Sequence, residues 1–183
     1  MANTCFLYIN CVFDSEEWAG RYGEIMTTLC KEAQSKNRLA YMGDTHRYLG
    51  DADIATDGNE VNINGWTKWS LEHEEAIHVI GFAKNITLNH LLQMTISYSE
   101  TSDNIYGVYT YTRGVERPDG TIDELDGKIV DKYIENENWP DIEWDDDDKC
   151  TVTLGDRTWD DEDDALEAIL AEFGKEEVVS ECI

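Results

Sequence analysis

The chain has 183 residues, 41% of them hydrophobic, and a formal net charge of -26. Its length and apolar content suit one folded domain with a real core and exclude a wholly disordered chain. The charge argues against direct binding to DNA, RNA or an anionic membrane surface, because the field repels phosphate, and it favours basic partners.

The first apolar block, Cys5-Phe6-Leu7-Tyr8-Ile9-Asn10-Cys11-Val12-Phe13, is aromatic and β-branched and predicts a strand. Asp14, Ser15 and Glu17 form a capping-box start. Trp18, Tyr22, Ile25, Met26, Leu29 and Ala33 then recur at helical spacing, which predicts an amphipathic helix ending near residues 34–37. Residues 41–59 carry glycines and aspartates with little periodicity and suggest a long loop. Val61 to about Trp69 alternates and predicts a second strand. Ala76 to Ala83 is ambiguous: its β-branched content and Gly81 favour a strand, with a helix as the alternative. Asn85 to Leu92 suggests a short helix. Met94 to Tyr98 and Ile105 to Tyr111 alternate as strands around a hairpin loop at residues 101–104. The order β-α-β-β-α-β plus one strand is that of a ferredoxin-like α+β domain, with helices on one face of an antiparallel sheet.

Beyond Gly114 the composition changes. Residues 1–50 hold six acids and five bases, whereas residues 101–183 hold 26 acids and seven bases. A ferredoxin-like core over residues 1–114 followed by an acidic extension or small subdomain over 115–183 is therefore expected. Within the extension, Thr151 to Trp159 predicts a hairpin turning at Gly155-Asp156. Asp160 is a candidate cap for a final helix with Leu166, Ile169, Leu170 and Phe173 on its buried face and Gly174 at its end.

Two stretches resemble a known family. Gly65-Trp66-Thr67-Lys68-Trp69 is similar to the W-G-T-K-W signature of the YubB-type ferredoxin-like proteins of plasmids and phages, with its first two residues exchanged. Tyr98-Ser99-Glu100 and Asn104-Ile105-Tyr106-Gly107-Val108-Tyr109 resemble that family's later strand pair, with Tyr106 for Phe. Asn3-Thr4-Cys5 is similar to its N-W-C opening. The resemblance spans about residues 1–114. It implies the ferredoxin-like fold and a mobile-element origin, and it brings no enzymatic activity.

Chemistry-bearing motifs are scarce. His73-Glu74-Glu75-Ala76-Ile77-His78 is one residue too long for a zinc H-E-x-x-H helix, so ordinary surface or half-buried histidines are expected. Asp53, Asp57 and Gly58 fall at calcium-loop positions, but Ala55 and Asn64 stand where ligands are needed, so these acids are taken as solvated. The chain lacks G-x-S-x-G, a P-loop and a G-x-G-x-x-G after a strand. Neither an enzyme nor a cofactor is expected. The five cysteines, Cys5, Cys11, Cys30, Cys150 and Cys182, match no zinc spacing and are expected to be reduced thiols. No signal-type segment follows Met1 and no apolar run could span a bilayer, so a cytoplasmic protein is expected. Trp66, Trp69, Tyr98, Tyr106, Tyr109 and Tyr111 are either core aromatics or the lining of an interaction surface, and core packing is favoured.

The acidic clusters carry the functional reading. The first comprises Glu135, Glu137, Asp141, Glu143, Asp145, Asp146, Asp147 and Asp148. The second comprises Asp160, Asp161, Glu162, Asp163 and Asp164. Acids in the first turn of a helix offset its macrodipole, which accounts for two or three of the second cluster and none of the first. The remainder suggest a mimic of duplex phosphates that occupies a basic groove, with Trp139 and Trp144 as apolar anchors. The chain is thus expected to be a phage- or plasmid-type inhibitor of a nucleic-acid-handling host complex, of anti-CRISPR or antirestriction type. Its partner would be the basic surface of a nucleic-acid-binding protein or ribonucleoprotein. The alternative is an accessory or structural mobile-element protein whose acidity only keeps it soluble.

Overall fold

A computed structural model describes residues 4–35, 40–41, 48–68, 71–100, 104–116, 122–145 and 149–180. Strand β1 (Thr4–Phe13) buries Cys5, Leu7, Ile9, Cys11 and Phe13 on one face, and the alternate residues point away. Helix α1 (Glu16–Ser35) lays Ala19, Tyr22, Met26, Cys30 and Ala33 on that buried face. Their i, i+3, i+4 spacing makes a single stripe. The Tyr22 ring meets Phe13 at 5.3 Å. Complete burial of one such side chain stabilises by about 1.5–3 kcal/mol.

A hairpin follows where a loop was expected. Strands β3 (Tyr48–Asp57) and β4 (Glu60–Lys68) pair antiparallel around Gly58, whose φ is +56°. A two-residue strand, β2 (Ala40–Tyr41), pairs with the start of β3. The register of β3 slips between Gly50 and Asp53, and this bulge breaks the alternation that would reveal a strand. The same hairpin places Asp53 and Asp57 on a strand instead of a cation-binding loop.

Residues 76–83 are helical. Helix α2 (His73–Ile86) starts where the Glu72 N–H donates to the Glu75 carboxylate at 3.0 Å, and it buries Ala76, Val79, Ile80 and Ala83. That spacing outweighs the strand preference of the branched residues, because burying a helical stripe contributes more than local propensity. The expected short helix at Asn85–Leu92 is the end of α2, followed by a turn in which Leu88 and Asn89 have positive φ.

Strands β5 (Leu91–Glu100) and β6 (Ile105–Glu116) pair as expected, and the loop residues 101–103 lie outside the described residues. Strand β7 (Ile122–Ile134) then pairs with β6, and β11 (Lys175–Ser180) pairs with β7. The sheet therefore continues past Gly114 in the order β11-β7-β6-β5-β1-β4-β3-β2, and the expected boundary falls inside a β-hairpin. A separate small sheet contains β8 (Asp141–Trp144), β9 (Cys150–Leu154) and β10 (Arg157–Trp159), with β9 and β10 forming the expected hairpin at Gly155-Asp156. Helix α3 (Glu162–Phe173) links this sheet to the large one. The architecture is α+β with a mainly antiparallel sheet and three helices among the described residues.

The helices divide the two faces of the large sheet. Helices α1 and α2 cover the face carrying Leu7, Ile9, Ile63 and Ile96. Helix α3 covers only the β6–β7 part of the other face, packing Leu166, Ile169 and Leu170 on Tyr106 and Ile134. The described cysteines Cys5, Cys11, Cys30 and Cys150 are buried outside any disulfide. No described helix is long and apolar enough to cross a membrane.

Candidate interaction site

The second acidic cluster is organised by the start of α3. Asp161, and not Asp160, is the cap: its carboxylate accepts from the Asp164 N–H at 3.0 Å. Glu162, Asp163 and Asp164 occupy the first turn, where the helix dipole favours negative charge. Ala165, Leu166, Ile169 and Leu170 bury the opposite side, so the acids stay at the surface of a firmly docked helix.

The first cluster meets this turn through the small sheet. Trp144 pairs with Cys150 at the end of β8. The Asp145 N–H donates to the Lys149 carbonyl at 3.0 Å, and the Lys149 N–H donates to the Asp145 carboxylate at 2.9 Å. Trp144, Asp145 and Lys149 from this corner, with Asp160, Asp161, Glu162 and Asp163, line a cleft of about 610 Å³. Trp144 is 60% exposed at its edge. Asp145 and the acidic run 160–163, which begins 15 residues later in sequence, thus share one concavity.

The other expected site residues lie elsewhere. Glu135 is held by Lys175 at 2.6 Å and lines a different cavity, so its charge is already compensated. Asp141 and Glu143 are exposed on β8 and do not line the cleft. Trp139 is half-buried against the cluster of Leu166, Ile169 and Leu170, so it serves the core more than the surface. Asp164 is exposed beside the cleft. Asp146, Asp147, Asp148 and the side chain of Glu137 lie outside the described residues.

Lys149 is the basic residue that the cleft lining holds beside its five acids. Among the described residues, no Lys or Arg side chain pairs with Asp160, Asp161, Glu162, Asp163 or Glu167. Burial pushes the Glu162 carboxyl above the ordinary range, and the charges of Asp163 and Asp161 push it further.

A second concavity adjoins the first and shares Asp163 with it. This groove, of about 590 Å³, is floored by Phe6, Tyr8, Trp66 and Ser99 on the open face of the sheet and walled by Asp163 and Glu167. Of the aromatics weighed from sequence, Trp66 and Tyr106 line it by facing this way, whereas Tyr109 and Tyr111 are buried on the opposite, helix-covered side. Tyr98 also packs on that buried side and only edges the groove, and Trp69 lies outside the described residues. Phe6 and Tyr8 escape the sequence argument. Their signal is that the outward-facing set of β1 also carries the large aromatics Phe6 and Tyr8, which remain unburied unless a second layer covers them.

A polar network lies at the start of α2. Asp131, 3% exposed, accepts from the Tyr98 hydroxyl at 3.1 Å and faces His73 Nε2 at 3.3 Å. The Tyr109 hydroxyl donates to the Leu71 carbonyl at 2.9 Å. Burial raises the Asp131 carboxyl, and the hydrogen bonds from Tyr98 and His73 hold it back. The Tyr98 phenol is pushed far up by burial and by the Asp131 charge, so it donates and does not attack. This cavity, of about 490 Å³, is lined among others by Glu72, His73, Tyr98, Tyr109 and Asp131. The hydrogen-bonded Tyr98 and Asp131 form a buried tie between strands. Among the described residues, no three His, Cys, Asp or Glu side chains are gathered as a metal ion would need.

Comparison of the chain with protein-family models, with curated proteins and with solved structures finds no match.

Proposed function

We propose that this chain is a non-enzymatic acidic interaction protein of a phage or other mobile element. It binds and inhibits a nucleic-acid-handling complex in the host cytoplasm, with carboxylates standing where a duplex would present phosphates. The observation that carries this reading is the convergence of Asp145 with Asp160, Asp161, Glu162 and Asp163 on one cleft edged by exposed Trp144. Acids serving only solubility gain nothing from being crowded, and here burial first, with the charges of Asp163 and Asp161 adding to it, raises the Glu162 carboxyl. A partner rich in Arg and Lys would relieve that repulsion and be steered to the cleft by the field.

The fold component of the reading is a ferredoxin-like βαββαβ core widened by further strands, as in the YubB-type proteins. Its support is the strand order β5-β1-β4-β3 with α1 and α2 on one side.

The test is an affinity capture from nuclease-treated host lysate, eluted by a salt gradient and challenged with competing duplex or guide RNA. A nucleic-acid-binding protein that leaves at moderate salt, and that the competitor displaces, supports mimicry. A partner indifferent to both salt and nucleic acid, or none at all, supports the accessory-protein alternative.

A further inference from the structure

The groove beside the acidic cleft has a composition that selects its occupant. Its floor is the part of the sheet that none of the described helices covers. Phe6 pairs with Trp66 across β1 and β4 and with Ser99 across β5, and Tyr8 pairs with Ser97. Phe6 is 58% and Tyr8 43% exposed, which is costly for large aromatic surfaces on adjacent rows of one strand. The wall is α3, where Asp163 and Glu167 stand one turn apart and therefore side by side. Like charges at that spacing weaken a helix. Their field enters the groove: after burial itself, Glu167 and Asp163 are what raise the Tyr106 phenol to about 12.

An aromatic floor with a carboxylate wall suits few chemical groups. Phosphate is repelled by Asp163 and Glu167. A purely apolar side chain would strip water from both carboxylates and give nothing in return. A cation with a flat, weakly hydrated head satisfies floor and wall together, and guanidinium fits this better than the compact, strongly hydrated ammonium. We infer that the groove takes an arginine side chain of the basic partner, its guanidinium stacked over Phe6 and Tyr8 and paired with Asp163 and Glu167. The inference rests on the reading proposed above and names an anchor within it. Asp163 lines both cleft and groove.

The test is a calorimetric cycle with two nonapeptides, one all lysine and one with a single central arginine, at low salt. Wild-type protein should favour the arginine peptide by about fivefold or more. Phe6→Ala and Glu167→Gln should each reduce that preference to less than about twofold, because each removes one half of the guanidinium site. Both side chains are at the surface, so circular dichroism should confirm that the variants stay folded. Equal affinity for the two peptides, or a preference that survives both substitutions, overturns the arginine anchor. The acidic-mimic reading then still stands if the lysine peptide binds in a salt-sensitive way. If the wild-type protein binds neither peptide, both readings fail.

Discussion

Tyr98 donates its hydroxyl to Asp131 at 3.1 Å and so ties β5 to β7 across the intervening β6. The two residues are buried, and each is the principal polar partner of the other. Asp131→Ala should leave the Tyr98 hydroxyl unsatisfied and cost about 1–3 kcal/mol. Asp131→Asn keeps an acceptor and removes a buried charge, so it should be close to neutral. Urea denaturation of both variants checks the pair, and equal losses would mean that the contact is not what matters.

The Tyr98 ring crosses β6 only because residue 107 is glycine. A Cβ built on Gly107 would clash with the hydroxyl end of Tyr98, its cross-strand partner. Gly107→Ala should therefore destabilise by about 1–3 kcal/mol, the range for overpacking a core. Adding Tyr98→Ala should make the second change cost less in that background than alone, measured as a non-additive cycle.

Acid should stabilise this fold over part of its range. Burial raises the carboxyls of Asp131 and Glu162 above their ordinary values of 3.8 and 4.5. The folded form therefore binds these protons more tightly than the unfolded chain, and stability falls as pH rises from the ordinary values through the raised ones. Going down from neutral pH, the melting temperature should climb through the raised values until the unfolded chain is protonated as well, and their contribution should be constant below about the ordinary values. Glu172 runs the other way, because Arg157 holds its carboxyl low, but that pair is exposed and contributes little. A melting temperature that only falls as the pH is lowered from neutral to the ordinary carboxyl values of 3.8 and 4.5 would contradict this account.

Capping and partner binding can be separated at Asp161. Its carboxylate accepts from the Asp164 N–H, so Asp161→Ala should cost about 1 kcal/mol of stability. Asn caps nearly as well as Asp. Asp161→Asn should therefore melt like wild type while weakening partner binding, a split that thermal melts and titration would reveal together.

Legibility from sequence followed the strength of each pattern. In α1 one stripe of buried residues coincides with good local signals, and β5 and β6 alternate cleanly. In α2 the signals conflict, because Val79, Ile80 and Gly81 speak for a strand while the spacing of Ala76, Val79, Ile80 and Ala83 speaks for a helix. Strand β7 was hidden by Asp131, a carboxylate placed where its core-facing alternation calls for an apolar residue. The acidic runs could be named from sequence, but the approach of Asp145 to the start of α3 depends on how β8, β9 and α3 pack, which no local pattern encodes. Phe6 and Tyr8 become candidates only once α1 and α2 are known to cover the same face of β1.

The central claim concerns charge at one cleft, and neutralising that cleft tests it most directly. The measurement is the affinity of the captured partner for wild-type protein and for a variant carrying Asp160→Asn, Asp161→Asn, Glu162→Gln and Asp163→Asn, across a salt series. Side-chain volume and the helix cap are retained in that variant. The account predicts a loss of roughly a hundredfold or more at low salt and a shallower salt dependence. Unchanged affinity with an unchanged salt dependence would contradict it.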